Sequence, residues 1–321
     1  MKLSIIVVSY NEKQYISEAI DSCLNQKFPY DYEIIIGDDG SDDGSIEVIK
    51  EYKIRNPERI RYFIMDRSDI KDLIPSIRVS NVLKTAFGIA KGEFIVITSG
   101  DDIIIGKDRL RKQIEFLERN SNYASCYTDY VRFGDNYPEE VYEKRCSLSN
   151  SVFWAYEYVH IGCFVYRKET LLKLLDRFID DTGLAIILLS AGKTKHINCV
   201  GYGYRQRDKS IMHESDYLEL CVVELMLYQD VLNYGGYKKS SLARFSIPLK
   251  YAYEHREKLD GPKYKKYIEN CKKYDNDIIN GIIRKDCIKD DIRMKILVYK
   301  AQIYRKIFKV LGIIEEKLIC W

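Results

Sequence analysis

The chain has 321 residues, enough for about two domains at roughly 150 residues each. Hydrophobic residues at 46%, charged residues at 31% and only 6 prolines exclude a disordered, collagenous or proline-rich chain. A formal net charge of +3 supplies no global field for a nucleic acid, so no nucleic-acid partner is expected. The 9 cysteines are odd in number, scattered and without a C-x-x-C pair, which reads as reduced thiols in a cytoplasmic chain. The apolar run at residues 5–8 is too short for a secretion signal, and nothing approaches the roughly eighteen apolar residues of a spanning helix. Membrane contact is therefore expected to be peripheral, on the inner face of the plasma membrane.

The first hundred residues alternate short β-branched runs with helical patterns, as βαβ units of a mostly parallel sheet do. Strands are expected at 3–10, 33–39, 59–65 and in the run 92–102, and helices over 13–25, from the turn after 39 to about 54, and over 76–90. Beyond these come a helix at 107–119, a strand at 125–133, a long polar connection, a strand at 160–167, helices at 168–176 and 183–191, and a last strand at 197–206. From about residue 215 the sequence turns helical and rich in Tyr and Lys. The reading is an α/β domain over 1–214, with a mixed sheet flanked by helices, and a helical C-terminal domain over 215–321.

In open α/β sheets the ligand sits beyond the carboxyl ends of the strands. Here those ends are polar: Ser9, Tyr10 and Glu12 after the first strand, Asp38 and Asp39 after the second, and Ser99, Asp101 and Asp102 after the fourth. Several carboxylates in one cleft are costly unless a cation or hydrogen-bond donors accompany them. There is no G-x-x-x-x-G-K-[ST] and no G-x-G-x-x-G after the first strand, so phosphate-loop and dinucleotide readings fall. A Mg²⁺ ion held by one or two carboxylates can neutralise a diphosphate without such a loop. Asp42 and Asp43 read as capping residues, and His160 and His196 as structural histidines.

Four segments in order, LSIIVVSYNE, EIIIGDDGSDDGS, AKGEFIVITSGDD and DDTGL, resemble the successive motifs of the family 2 inverting glycosyltransferases, bacterial surface-polysaccharide type, with the GT-A fold. The resemblance covers about residues 1–212. It implies that Ser9, Tyr10 and Glu12 line the base and ribose of a nucleotide-sugar donor, that Asp39 accepts from the ring N–H of a uracil, and that Arg78 is a candidate for nucleotide or diphosphate contact. The family's metal-binding Asp-x-Asp reads Ser99, Gly100, Asp101 here, which leaves Asp101, followed by Asp102, to contact Mn²⁺ or Mg²⁺, and Ser99 to reach ribose or a metal-bound water. Asp181 matches the catalytic base and Asp180 the acid before it. Arg205, Arg207 and Ser210 are candidates for diphosphate or acceptor contact, and His213 for the metal site.

The implied reaction transfers a sugar, with inversion, from a nucleotide donor, UDP-linked by expectation, to a hydroxyl of a glycan or lipid-linked glycan. Two alternatives stay open: a nucleotidyltransferase, which would want a glycine-rich basic loop after the first strand, and a binding scaffold without turnover, which the serine at 99 keeps in play. In residues 292–317 an apolar helical stripe (Ile292, Ile296, Tyr299, Ile303, Ile307, Val310, Ile314) is interleaved with Lys and Arg. It fits either an anionic membrane surface or packing on the chain's own core or a homodimer partner.

Overall fold

The computed structural model describes residues 1–68, 75–134, 136–142, 159–173, 192–207, 216–233, 238–262, 264–265, 268–269, 281–282 and 288–319. Its centre is a nine-stranded sheet. β1 (Leu3–Ser9), β2 (Tyr32–Asp38), β3 (Ile60–Ile64) and β4 (Phe94–Ser99) are parallel in the order β3-β2-β1-β4. β8 (Phe164–Arg167) runs antiparallel to β4 and carries the sheet on to β6 (Tyr123–Gly134), β9 (Lys193–Arg205) and the two-residue β5 (Ile103–Ile104). β7 (Tyr137–Tyr142) forms a hairpin with β6.

The period-two alternation of the central strands sorts their side chains into two cores. Leu3, Ile5 and Val7 of β1, with Ile34, Ile36, Phe94 and Val96, face one layer. That layer is formed by α1 (Ile16–Leu24), α2 (Ser45–Arg55) and α4 (Arg109–Arg119), which contribute Ile16, Ile20, Ile49, Leu110, Ile114 and Leu117. Ile6, Ile35, Ile95 and Ile97 point the other way, onto Leu83 and Phe87 of α3 (Pro75–Ile89). The same second core takes in residues of the C-terminal helices α6 (Tyr217–Asn233), α7 (Lys238–Arg244), α8 (Ser246–Glu254) and α9 (Ile288–Ile319), among them Leu218, Val222, Phe245, Leu249 and Ala301. The change in composition near residue 215 is thus crossed by a continuous apolar core.

Three departures from the sequence reading have local causes. The expected strand at 160–167 opens instead with a 3-10 turn, Ile161–Cys163, because the His160 side chain accepts from the Gly162 N–H and caps it; only Phe164–Arg167 pairs in the sheet. The polar connection after 133 includes β7, whose residues Pro138–Val141 are exposed and so lack an apolar signature. β9 begins at Lys193 rather than 197, since backbone pairing with β6 carries the polar run Lys193–His196 into the sheet. The short α5 (Lys168–Leu172) starts where expected; the helix expected at 183–191 lies outside the described residues.

Buried polar side chains lock the half of the sheet beyond β4. Arg109, fully desolvated, donates to the Gly201 and Gly162 carbonyls at 2.9 and 2.6 Å and to Gln113 at 2.8 Å. His196 pairs with Asp129 at 2.8 Å beneath the β6–β9 ladder, and His160 stacks between Tyr202 and Tyr204. Burial, helped by Arg132, lowers His160 to about 3, so it is neutral packing at physiological pH.

Gly162 lies so close to Tyr202 that an added Cβ would fall within the van der Waals envelope of its ring. Gly162→Ala should lower the unfolding free energy by about 1–3 kcal/mol, the usual cost of overpacking, measured by urea denaturation. An unchanged midpoint would contradict this packing.

Candidate active site

The carboxyl ends of β1, β2 and β4 lie side by side, with Ser9 opposite Asp38 and Val8 opposite Ser99. The loops that follow are tied by side chains that the motif runs supply. Asn11 takes a left-handed backbone, φ 54°, which Asn tolerates better than most residues. Its N–H donates to Ser41 Oγ at 2.9 Å and its Oδ1 accepts from the Asp42 N–H at 3.0 Å. The next two amides donate in turn, Glu12 to Ser45 Oγ and Lys13 to Asp43 Oδ2. Asp43 also accepts from Ser45, the capping role expected of it. Asp38 is spent in the same way, its two oxygens accepting from the Ser41 N–H and Oγ, both at 2.7 Å.

Asp39 is different. It is buried, its Oδ2 lies 3.1 Å from Arg78 Nε, and its Oδ1 has no hydrogen-bond partner. Burial raises its carboxyl above the ordinary range, with Arg78 and Arg67 opposing. Tyr10 lies beside this pair, with the guanidinium carbons of Arg67 and Arg78 at 4.4 and 5.4 Å from its ring centroid. Ser9, buried, has an Oγ without a hydrogen-bond partner. Ser9, Tyr10, Asp39 and Arg78 therefore meet in one place. Arg67 was not singled out from sequence, although it follows a strand end, the position that marks the other site residues.

The second cluster forms where the chain leaves β4. After the Gly100–Asp102 turn it enters β5, and the pairing of Ile103 with Gly203 and Ile104 with Tyr202 sets the end of β9 against that turn. Asp102 is consumed by this junction: its Oδ2 accepts from Tyr202 Oη at 2.7 Å and its Oδ1 from the Arg205 N–H at 2.8 Å. Arg205 also donates to the Asp101 carbonyl at 2.8 Å and pairs with Glu18. Arg207 lies in ionic contact with Asp101 Oδ2 at 2.7 Å and with Glu12 Oε1 at 3.6 Å. Glu12 is buried over Gly100, and its Oε2 lacks a hydrogen-bond partner. Burial first, then the Asp101 charge, pushes the Glu12 carboxyl well above the usual range against the pull of Arg207. Asp102 is pushed up for the same first two reasons.

Geometry thus separates the two adjacent aspartates. Asp102, expected beside the metal, has both oxygens engaged within the fold, whereas Asp101 faces Arg207. Among the described residues no three His, Cys, Asp or Glu side chains are grouped as a metal shell. A bound divalent ion would therefore rest on Asp101, next to the partnerless Glu12 oxygen, and complete its coordination with phosphate oxygens and water. Asp180, Asp181, Ser210 and His213 lie outside the described residues. A cleft of about 790 Å³ opens beside the cluster, bordered by Asn11, Glu12, Tyr15, Asn136, Tyr137 and Arg207.

A model described as glycosyl transferase family 2 matches residues 4–183. The chain belongs to this family. Among curated family 2 relatives, a poly(ribitol-phosphate) beta-glucosyltransferase of Bacillus spizizenii is 33% identical over 123 residues, covering 38% of this chain and 18% of its own. The putative glycosyltransferase EpsE of Bacillus subtilis is 30% identical over 134 residues, covering 42% and 45%. An uncharacterized Mycobacterium tuberculosis protein, Rv1520, is 28% identical over 176 residues, 52% of this chain and 47% of its own. The chain spans about half or less of the length of these relatives. The structure of Staphylococcus aureus TarS in complex with UDP-GlcNAc aligns over 96% of this chain and 92% of that one, with a TM-score of 0.60 at 17% identity. A Pyrobaculum calidifontis mannosyltransferase with GDP-Man and Mn²⁺ aligns over 95% and 86%, with a TM-score of 0.52 at 15% identity. The fold is that of the GT-A glycosyltransferases.

The raised Glu12 carboxyl fixes the sign of a pH dependence. A group whose native pKa lies above its unfolded value contributes stability that is complete below the unfolded pKa and is lost as pH rises through the native one. Glu12→Gln removes that loss, so its melting temperature should exceed that of the parent at pH 7–8, with the difference shrinking toward acid pH, in about the range of an unfolded carboxyl at 4.3. A difference independent of pH, in thermal unfolding across this range, would contradict the strained ionisation of Glu12.

Proposed function

We propose that the protein is an inverting glycosyltransferase that moves a sugar from a nucleotide-sugar donor, UDP-linked, to a hydroxyl of a glycan or lipid-linked glycan. The observation that carries this reading is the buried Asp39 carboxylate, fixed by Arg78 beside Ser9 and Tyr10 and left with one oxygen free of hydrogen bonds. A buried acceptor without a donor is costly, and a ligand N–H that supplies one is rewarded. The ring N–H of uracil is such a donor, while the base can lie along the apolar face of Tyr10. TarS, whose structure carries UDP-GlcNAc, lends the donor class support by likeness of fold. The relative of this chain named poly(ribitol-phosphate) beta-glucosyltransferase lends the same to a surface-polysaccharide acceptor.

The diphosphate would extend from this pocket toward the end of β4, where Asp101 and Arg207 meet. Mn²⁺ or Mg²⁺ bound at Asp101 would supply charge neutralisation for the departing diphosphate. Arg207, now paired with Asp101 and Glu12, is a long-chain cation at that position and would turn from the carboxylates onto phosphate oxygens. Arg205 is held by Asp101, Asp102 and Glu18 and acts by fixing this corner. The adjacent cleft would receive the acceptor.

In the reaction, Asp181 removes the acceptor hydroxyl proton, the oxygen forms its bond to the anomeric carbon from the face opposite the leaving group, and the bond to the diphosphate oxygen breaks. The base role rests on the DDTGL motif. The nucleoside diphosphate carries the released electron pair, and the anomeric configuration inverts.

Two variants separate donor binding from chemistry. Asp39→Ala should weaken UDP binding by roughly tenfold or more, the worth of one hydrogen bond to a charged group. Asp181→Asn should retain UDP binding yet slow release of UDP from UDP-sugar by about a hundredfold or more, the usual contribution of a general base. Calorimetry and a coupled UDP-release assay read the two effects. Asp39→Ala with unaltered UDP affinity would remove the base-recognition role, and Asp181→Asn with full turnover would remove the assigned base.

A further inference from the structure

The last helix carries two apolar faces, and among the described residues only one of them packs inside the protein. Met294 and Ala301 of α9 are buried in the second core, with Leu297, Val298 and Tyr304 packed against it. Gln302 reinforces the same side by donating to the Ser246 carbonyl at 2.9 Å. On the outside, Ile292, Ile296, Tyr299, Ile303, Ile307 and Val310 are each 40–69% exposed. At about 100° per residue these six fall within an arc of roughly 80°, opposite Met294 and Ala301. The stripe expected from sequence is therefore not the side that packs on the core.

Its flanks are charged in one sense only. Arg293 and Lys300 border one edge of the stripe and Lys295, Lys306 and Lys309 the other, all exposed. Between residues 292 and 314 the sequence has no Asp or Glu. An exposed ordered apolar row is unfavourable in water and marks a contact surface. The charge selects the partner: a second copy of this face would set Lys and Arg against Lys and Arg, a repulsive arrangement, whereas an anionic bilayer offers acyl chains to the stripe and phosphate to both flanks. No helix of the described residues is long and apolar enough to cross a membrane, which leaves the in-plane mode.

We propose that the outward face of α9 docks the protein on an anionic lipid bilayer surface, with α9 lying in the headgroup plane. The stripe enters the boundary between headgroups and acyl chains, and the two basic edges contact lipid phosphates. This inference does not rest on the donor assignment, because its geometry lies wholly in α9.

The test is co-sedimentation of the full chain with phosphatidylcholine vesicles, with and without phosphatidylglycerol, at low and high salt. Binding should require phosphatidylglycerol and weaken with salt. The Lys300→Glu/Lys306→Glu/Lys309→Glu variant should partition roughly a hundredfold less, each lost basic residue near an anionic surface costing about a fivefold factor. Ile296→Ser/Ile303→Ser/Ile307→Ser should bind weakly even at low salt, and circular dichroism should find both variants folded. UDP affinity, measured on the same samples, should match the parent, so a failed donor reading and a failed membrane reading are told apart. Equal binding to neutral and anionic vesicles, or none to either, would overturn the proposal. So would a lipid-free dimer in sedimentation velocity that the Ile→Ser variant dissociates.

Discussion

The constraint on which the site depends is the crowding of Glu12, Asp101 and Asp102 at one edge of the sheet. Like charges in a low-dielectric setting are tolerated only with donors or cations at hand, and the fold brings these from far along the chain. Tyr202 and Arg205 in the last part of β9, and Arg207 just beyond it, come about a hundred residues after Asp101 and Asp102, and Arg207 also reaches back to Glu12. The short β5 exists to make that meeting possible: two residues pair with β9 and fix its end against the turn after β4. Arg109, beneath, holds β9 and the Ile161–Cys163 turn in the same register. The arrangement is stable as a framework yet leaves Asp39 and Glu12 each with a carboxylate oxygen lacking a hydrogen bond, the condition under which a ligand or cation gains most by binding.

The two acidic pairs divide their labour in the same manner. Asp38 closes a turn on Ser41 while Asp39 faces Arg78; Asp102 closes the β9 junction while Asp101 faces Arg207. In each pair one aspartate builds the backbone geometry that presents the other. Their sequence neighbours Ser41, Asp43 and Ser45 are part of this scaffold, and the motif-like density of small polar residues there reflects stitching between two loops as much as ligand contact.

Much of this was legible in the sequence because the central strands are long apolar runs whose polar ends announce themselves. β1, β2, β3 and β4 and the helices between them fall within a few residues of their expected bounds, and Ser9, Tyr10, Asp39 and Arg78 do converge. What periodicity could not supply was anything decided by pairing at a distance. β7 and the first residues of β9 are polar and are strands only because β6 accepts them. The different duties of Asp101 and Asp102 depend on Tyr202 and Arg205, whose proximity no local pattern encodes. For α9 the outward stripe was readable, but not its direction: a second apolar row, Met294, Leu297, Val298, Ala301 and Tyr304, is the one that packs on the core.

The central claim is that the strand ends form a uridine diphosphate site with a cation position at Asp101. Calorimetric titration of the protein with UDP, GDP, CDP and dTDP, with and without Mn²⁺, and of Asp101→Ala under the same conditions, tests it most directly. The account predicts preference for UDP, tighter binding with Mn²⁺, and loss of the Mn²⁺ increment in Asp101→Ala while metal-free binding persists. Binding of no nucleoside diphosphate under either condition, or a Mn²⁺ increment untouched by Asp101→Ala, would contradict it.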